Sequence, residues 1–235
     1  DLGFFVRDRL KPLLVDYDMA KADIRAFAEG RHLQLRIGYI GLAAARFLNP
    51  ALTELRKTHP DIKLLLFDQT PSEQLKALRD GHLDVALIGQ EAAALGEDFY
   101  KRRAAKLGVC VVLPDSHPLS RDSLISMASL NGEKFIGVSE EAVPGRNQWM
   151  THLCAKAGFK PRFIALTKDV SETFTLISSE GAVTLLPDYI DSHAPPGTAY
   201  VHISDKWAHW SFYVLRQRGK GSPAARQLVD LIAKS

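Results

Sequence analysis

Residues 33–89, LQLRIGYIGLAAARFLNPALTELRKTHPDIKLLLFDQTPSEQLKALRDGHLDVALIG, decide the fold. Three short apolar runs, 33–40, 62–67 and 83–88, alternate with two segments of helical periodicity. That alternation predicts parallel strands joined by crossover helices, a βαβαβ half. In the first crossover Ala44, Phe47, Leu48, Ala51, Leu52 and Leu55 form one apolar stripe, with Arg46, Glu54, Arg56 and Lys57 opposite. The second opens with Thr70-Pro71-Ser72-Glu73. Thr70 suits an N-cap, Pro71 sits where its missing N–H costs nothing, Glu73 can close a capping box, and Gly81 suits the exit. Ligands of open α/β sheets bind outside the carboxyl ends of the strands, so the turns at 38–42, 68–70 and 89–90 are where chemistry is expected.

Outward toward the N-terminus, Val6, Leu10, Leu13, Tyr17, Ala20, Ile24 and Phe27 recur at steps of four and three, a heptad seam with balanced charge around it. Such a stripe either pairs with a second copy as a coiled coil or lies on the chain's own globular part. Pro12 is tolerated in a first turn, so the helix is expected over about 11–29, ending at Gly30.

Toward the C-terminus, 109–113 reads as a strand, and the turn-rich 114–119 reads as a linker. Strands are then expected at 135–138, 162–166 and 183–186, the last closed by Pro187. A helix over 147–157 carries Met150, Leu153, Cys154 and Ala157 on one face. Another opens at the Asp169-x-x-Glu172 box with Val170, Phe174 and Ile177 facing inward. The stretch 189–208 reads as irregular, 210–216 as a strand, and Ser222-Pro223 starts a last helix. The result is two lobes, with the cleft between them as the default ligand site.

The composition excludes several classes. With 46% hydrophobic residues in 235, the chain buries one or two cores. Lys plus Arg exceeds Asp plus Glu by 30 − 27 = 3, without the clustering of a nucleic-acid surface. Cys110 and Cys154 lie in apolar contexts without metal spacing, which reads as buried thiols of a reducing compartment. No apolar run approaches the ~18 residues of a membrane span. G-x-S-x-G, G-x-x-x-x-G-K-[ST], H-E-x-x-H and G-x-G-x-x-G after a strand are all missing, and the eight histidines are scattered. No catalytic residue, cofactor or metal site is expected.

Six segments in order resemble the effector-binding domain of LysR-type transcriptional regulators: LRIGYIG with Asn49-Pro50 after it, TPSEQLKALRDGHLDVALIG, VVLPDSHPLS, AGFKPRF, TLISSEGAVTLLP, and YVLRQRG with SPAARQLVDLI. The resemblance implies two lobes like those of type-2 periplasmic binding proteins, crossed twice by the chain. Residues 33–112 with 214–235 would make the first lobe and 113–213 the second, preceded by a linker helix over 1–32. It further implies a cytoplasmic homodimer or homotetramer that binds a small effector and reaches DNA only through a winged helix-turn-helix outside this sequence. Asp1-Leu2-Gly3 looks like the point just after such a head. The GYIGLAA turn and the long loop before residue 147 look closest to regulators of aromatic-compound catabolism, which sense small carboxylates. The chain departs from them at Leu42, at Gly89 and at Glu180-Gly181-Ala182.

The expected effector contacts each have a plainer alternative. Thr70 binds an anion or only caps its helix. Gln69 contacts ligand or is a solvated turn residue. Ile40, Gly41, Leu42 and Gly89 wall the pocket or pack the lobe. Arg146 faces the first-lobe turns in the family's arrangement and is expected to clamp a carboxylate; otherwise it is a solvated surface Arg. Ser139, Glu140 and Thr184 border the cleft. Trp149, Trp207 and Trp210 read as packing or dimer-surface aromatics. The competing function is a solute-binding protein of a transport system, for which light scattering should show a monomer; the regulator should be a dimer or larger.

Overall fold

Parallel pairing of the three opening runs builds the first sheet. A computed structural model of the chain describes residues 34–89, 95, 97–190, 195–218 and 221–234, plus positions 3, 6, 9, 10, 14, 17, 21 and 24, without the side chains of 42 and 190. Strand β1 (Gln34–Tyr39) lies between β2 (Lys63–Asp68) and β3 (Val85–Gly89), parallel to both. The first crossover, α1 (41–58), holds a π-helical stretch at Ala44–Leu48 just before Asn49-Pro50. Pro50 has no N–H to give and its ring crowds the preceding turn, so the ladder there widens: Asn49 N–H reaches back five residues to Ala44 O. The second crossover, α2 (Pro71–Arg79), has the reciprocal cap expected from its sequence. Glu73 N–H bonds Thr70 Oγ1 at 3.3 Å, and Glu73 Oε2 accepts Thr70 N–H at 2.9 Å.

Strand β4 (Phe99–Leu107) leaves the first lobe and β11 (Trp210–Gln217) returns to it, giving the order β2-β1-β3-β11-β4. The last helix, α5 (Pro223–Ile232), packs on α1, where Gln227 Nε2 donates to Thr58 Oγ1. Between β4 and β11 lie β5 (Val109–Pro114), β6 (Leu124–Ile125), β7 (Lys134–Val138), α3 (Arg146–Lys156), β8 (Arg162–Thr167), α4 (Val170–Glu180), β9 (Thr184–Pro187) and β10 (Thr198–Ile203). Strands β6-β10-β5-β9 form a second sheet, and the β7-β8 pair joins it through Ile136 N–H to Val183 O and Val183 N–H to Lys134 O.

The chain therefore crosses between sheets at Gly108 and again over 204–209, earlier on both occasions than the sequence reading placed the boundaries. Residues Val109 to Leu113 are as apolar as any first-lobe strand, but they sit between β10 and β9, buried on both faces. Hydrophobicity alone does not mark a crossing. The 114–119 turn is no linker either. It stays in the second lobe, with Asp115 N–H on Gly197 O and a short 3-10 turn over Pro118–Arg121. The stretch read as irregular contains β10, and β4 had no counterpart in the sequence reading. Val170, expected inside, is exposed; Thr173 takes the inner place on α4.

Three of the seven residues of the heptad seam, Leu13, Ala20 and Phe27, lie outside the described residues. Of it, Val6, Leu10, Tyr17 and Ile24 are described, helical and exposed, as is Leu14. Both cysteines are buried thiols, and burial pushes Cys154 up to about 12.

Candidate functional site

The carboxyl ends of β1, β2 and β3 converge where the first lobe meets a loop of the second. After β1, Ile40 is half-buried against the core and opens α1, and Gly41 N–H donates to Asp68 Oδ1 at 3.0 Å. After β2 come Gln69 and Thr70. The backbone of Gln69 accepts from the buried Gln74 side chain, whose Oε1 in turn takes Leu87 N–H, so Gln74 ties this turn to β3. Gln69 Oε1 is buried without a hydrogen-bond partner. The Thr70 hydroxyl also donates to Glu73 Oε2 at 2.9 Å. At the end of β3, Gly89 lies against the indole of Trp210. A Cβ there would stand 2.3 Å from Trp210 Nε1, so glycine is required by close approach.

The α2 N-terminus has its donors engaged. Thr70 N–H and Glu73 N–H form the cap, Gln74 N–H goes to Thr70 O, and Ser72 N–H reaches across the lobes to Ala142 O at 3.4 Å. An anion would gain a free N–H here only by displacing Ala142.

The facing loop, 139–145, is shaped by Glu140. Its carboxylate accepts Gly145 N–H at 2.7 Å and Asn147 Nδ2 at 3.1 Å, and Gly145 takes the left-handed φ of 78° that releases the chain into α3. Asn147 in turn bonds the backbone of Val138 on both sides. Ser139 N–H donates to Thr167 O, and its hydroxyl accepts Glu141 N–H. Thr184 is buried in the second lobe, bonded to Ile136 O.

Arg146, the first residue of α3, is only 5% exposed. Its guanidinium lies 4.7 Å from the Trp149 ring and 4.6 Å from the Trp210 ring, and Nη2 donates to Leu185 O at 2.8 Å. Among the described residues no carboxylate pairs with it. Burial lowers its pKa to about 10, with Tyr189 and Cys110 acting the other way. It thus remains a cation at neutral pH, held by aromatic faces and one carbonyl. Tyr189 is pushed up by burial and pulled back by Arg146. Around this point the lobes share one buried cluster, in which Phe47 stacks on Phe212 at 4.6 Å and Trp149 meets Trp210 edge-on at 4.8 Å. Beside it Asp188 takes Gly108 N–H at the crossing and pairs with Arg46 of α1 at 2.9 Å.

Of the residues expected from sequence, the geometry brings Ile40, Gly41, Gln69, Thr70 and Gly89 to the first-lobe strand ends, with Ser139, Glu140 and Arg146 on the segment that meets them. Glu140 shapes the loop, Thr184 is a satisfied core hydroxyl, and the Leu42 side chain is outside the described residues. Arg146 is neither solvated nor free. The sequence reading did not give Trp149 and Trp210 a part in holding it. The Arg146-x-x-Trp149 spacing on one helix face is a local signal for the first of them; nothing local points to Trp210. Among the described residues no cluster of His, Cys, Asp and Glu could hold a metal, and no helix is long and apolar enough to cross a membrane.

Known proteins are similar to this chain in sequence and in fold. Residues 28–235 match the family model described as LysR substrate binding domain. The chain is 29% identical over 161 residues to the HTH-type transcriptional regulator AlsR of Bacillus subtilis (strain 168), covering 68% of this chain and 52% of that protein. It is 24% identical over 232 residues to the Hca operon transcriptional activator HcaR of Escherichia coli (strain K12), covering 97% of this chain and 76% of that one. It therefore spans about half the length of the first relative and three quarters of the second. In fold it is similar to the BenM effector binding domain with its effector benzoate, with a TM-score of 0.70 at 18% identity over 86% of this chain and 90% of that one. It is also similar to the LysR family transcriptional regulator CbnR, with a TM-score of 0.75 at 17% identity over 100% of this chain and 80% of that one.

Proposed function

The chain belongs to the LysR substrate binding domain family, and on that footing we propose that it is the effector-sensing and oligomerising part of a LysR-type transcriptional regulator of the cytoplasm. A small carboxylate binds between the lobes, and DNA contact belongs to a winged helix-turn-helix outside these residues. The carrying observation is Arg146, a buried cation at the meeting of the lobes with no carboxylate partner among the described residues. Burying an ion without a counterion is costly, and a bound carboxylate would supply that counterion through a bidentate contact. The effector named for one protein of similar fold agrees in kind: benzoate in the BenM domain is a small aromatic carboxylate. Ile40 and Gly41 are offered as walls, and Gln69, Thr70 and Ser139 as polar contacts. Occupancy acts by preferring one lobe arrangement over another.

The regulator reading is favoured over the transport one because the matching relatives are transcriptional regulators. Pairing has two supports. Leu66 and Phe67 on edge strand β2, and Ile164 and Leu166 on edge strand β8, expose large apolar side chains. Exposed apolar edges of this kind invite a second copy. Leu10, Leu14, Tyr17 and Ile24 likewise present an exposed helical stripe at coiled-coil spacing.

The test is a thermal-shift screen of small organic acids, each beside its neutral amide, on the wild type and on Arg146→Gln. Acids that stabilise the wild type while their amides do not, with the effect lost in Arg146→Gln, are the expected result. Amides that stabilise as well as acids, or acid binding indifferent to Arg146→Gln, would overturn the anion reading.

A further inference from the structure

Arg146 and Trp149 both belong to α3 of the second lobe, whereas Trp210 opens β11 of the first and rests on Gly89. The guanidinium therefore lies against one aromatic face from each lobe, 4.7 Å from Trp149 and 4.6 Å from Trp210. Trp149 Nε1 adds a bond to His209 O at 2.9 Å, on the segment that returns the chain to the first lobe. We infer that this three-way contact of Arg146 with Trp149 and Trp210, whose rings also meet edge-on at 4.8 Å, is the latch that sets how far the two lobes close, with Trp149 and Trp210 as the positioning residues of Arg146.

The argument rests on what each part loses if the lobes separate. Leu185 O and Trp149 travel with Arg146, because both are in the second lobe. Trp210 does not, since it is pinned on the other side by Gly89 and by its place beside Phe212 in the first sheet. Opening therefore strips one face from the cation and lets water reach it. Desolvation of the guanidinium favours opening, and cation–π attraction to a second indole favours closure. Two opposed effects on one side chain make a contact whose balance a perturbation can shift. The Arg46–Asp188 pair near the same crossing is half-exposed and screened, so it is the weaker brace. The latch itself does not depend on which effector binds. It bears on the proposed function only in saying how a carboxylate at Arg146 would be felt by both lobes.

Pulsed electron–electron resonance without any effector tests it, using nitroxides on Thr53→Cys of α1 and Ser179→Cys of α4, both exposed positions. Samples are diluted with unlabelled chain to suppress signals between copies. The native Cys110 and Cys154 are buried and should escape labelling. Arg146→Gln removes the charge, and Trp210→Leu removes the ring. Both should broaden the lobe-to-lobe distance distribution and shift it to longer values, while Trp210→Phe, which keeps a face, should preserve the wild-type distribution. Folding of each variant is checked by circular dichroism. If Trp210→Leu does not fold, Arg146→Gln and Trp210→Phe still decide the matter. A folded Arg146→Gln with the wild-type distribution would overturn the latch. Because no carboxylate enters this experiment, a failed acid screen leaves the latch standing, and a failed latch leaves the acid screen standing.

Discussion

Thr70 shows what a single residue reveals in sequence and what it conceals. Its capping box with Glu73 was legible because both halves lie within one helical turn and need no tertiary contact. Thr70→Ala should therefore lower stability by about 1 kcal/mol. In a domain of this size that is a fall in Tm of about 2–4 °C, with Thr70→Ser close to wild type in the same melt. Arg146 is the opposite case. An arginine after Pro144-Gly145 reads as surface, and only the fold brings Trp210 and Leu185 to it. Its charge is expensive to bury, so the native state sheds this proton near pH 10, before the unfolded chain does. Above that pH the unfolded state holds more protons at this group, and stability contributed by Arg146 rises with pH. Chemical denaturation of the wild type against Arg146→Met should show the difference between them moving in the wild type's favour above pH 10, by up to about 1.4 kcal/mol per unit. A difference that stays flat through pH 11 would refute the assignment.

At the scale of elements, the parallel strands and crossover helices of the opening half were readable because each strand is a short apolar run, at the exposed edge β2 as at the buried β3, and their helices carry one clear stripe. Strand β4 escaped because FYKRRAAKL, an antiparallel edge strand, carries four basic residues in nine. Strand β10 was hidden behind Pro195-Pro196-Gly197. The crossings were misplaced for a related reason, since β5 is buried in the second sheet and looks like a continuation of the first. The contact between β3 and β11 yields a sharper expectation. Gly89→Ala would drive a methyl into the Trp210 indole and should cost about 1–3 kcal/mol. A shift in tryptophan emission should accompany the loss, as the ring is displaced from its buried seat. Unchanged stability and emission would mean that the indole does not rest on Gly89.

For the whole molecule, two lobes crossed twice were legible from the order of the six family-like segments, and the match over residues 28–235 shows the family. The site was legible only in outline. Strand ends can be placed from topology, but which side chains face a ligand depends on packing between lobes, which no local pattern encodes. Assembly follows from surface rather than core. The edges β2 and β8 expose Leu66, Phe67, Ile164 and Leu166, so the chain should run as a dimer or larger in light scattering. Phe67→Lys with Leu166→Lys should weaken that assembly without changing the melting of the lobes, and an unaltered mass would remove these edges from the interface.

The most direct measurement is a crystal structure with the acid that gives the largest thermal shift. The account predicts its carboxylate within hydrogen-bonding distance of the Arg146 guanidinium, enclosed by the turns after β1, β2 and β3 and by the 139–145 loop. A ligand seated elsewhere, such as the hydroxyl-lined groove of Ser171, Thr175 and Ser178 beside Pro195 and Pro196, with Arg146 still untouched against its two indoles, would contradict it.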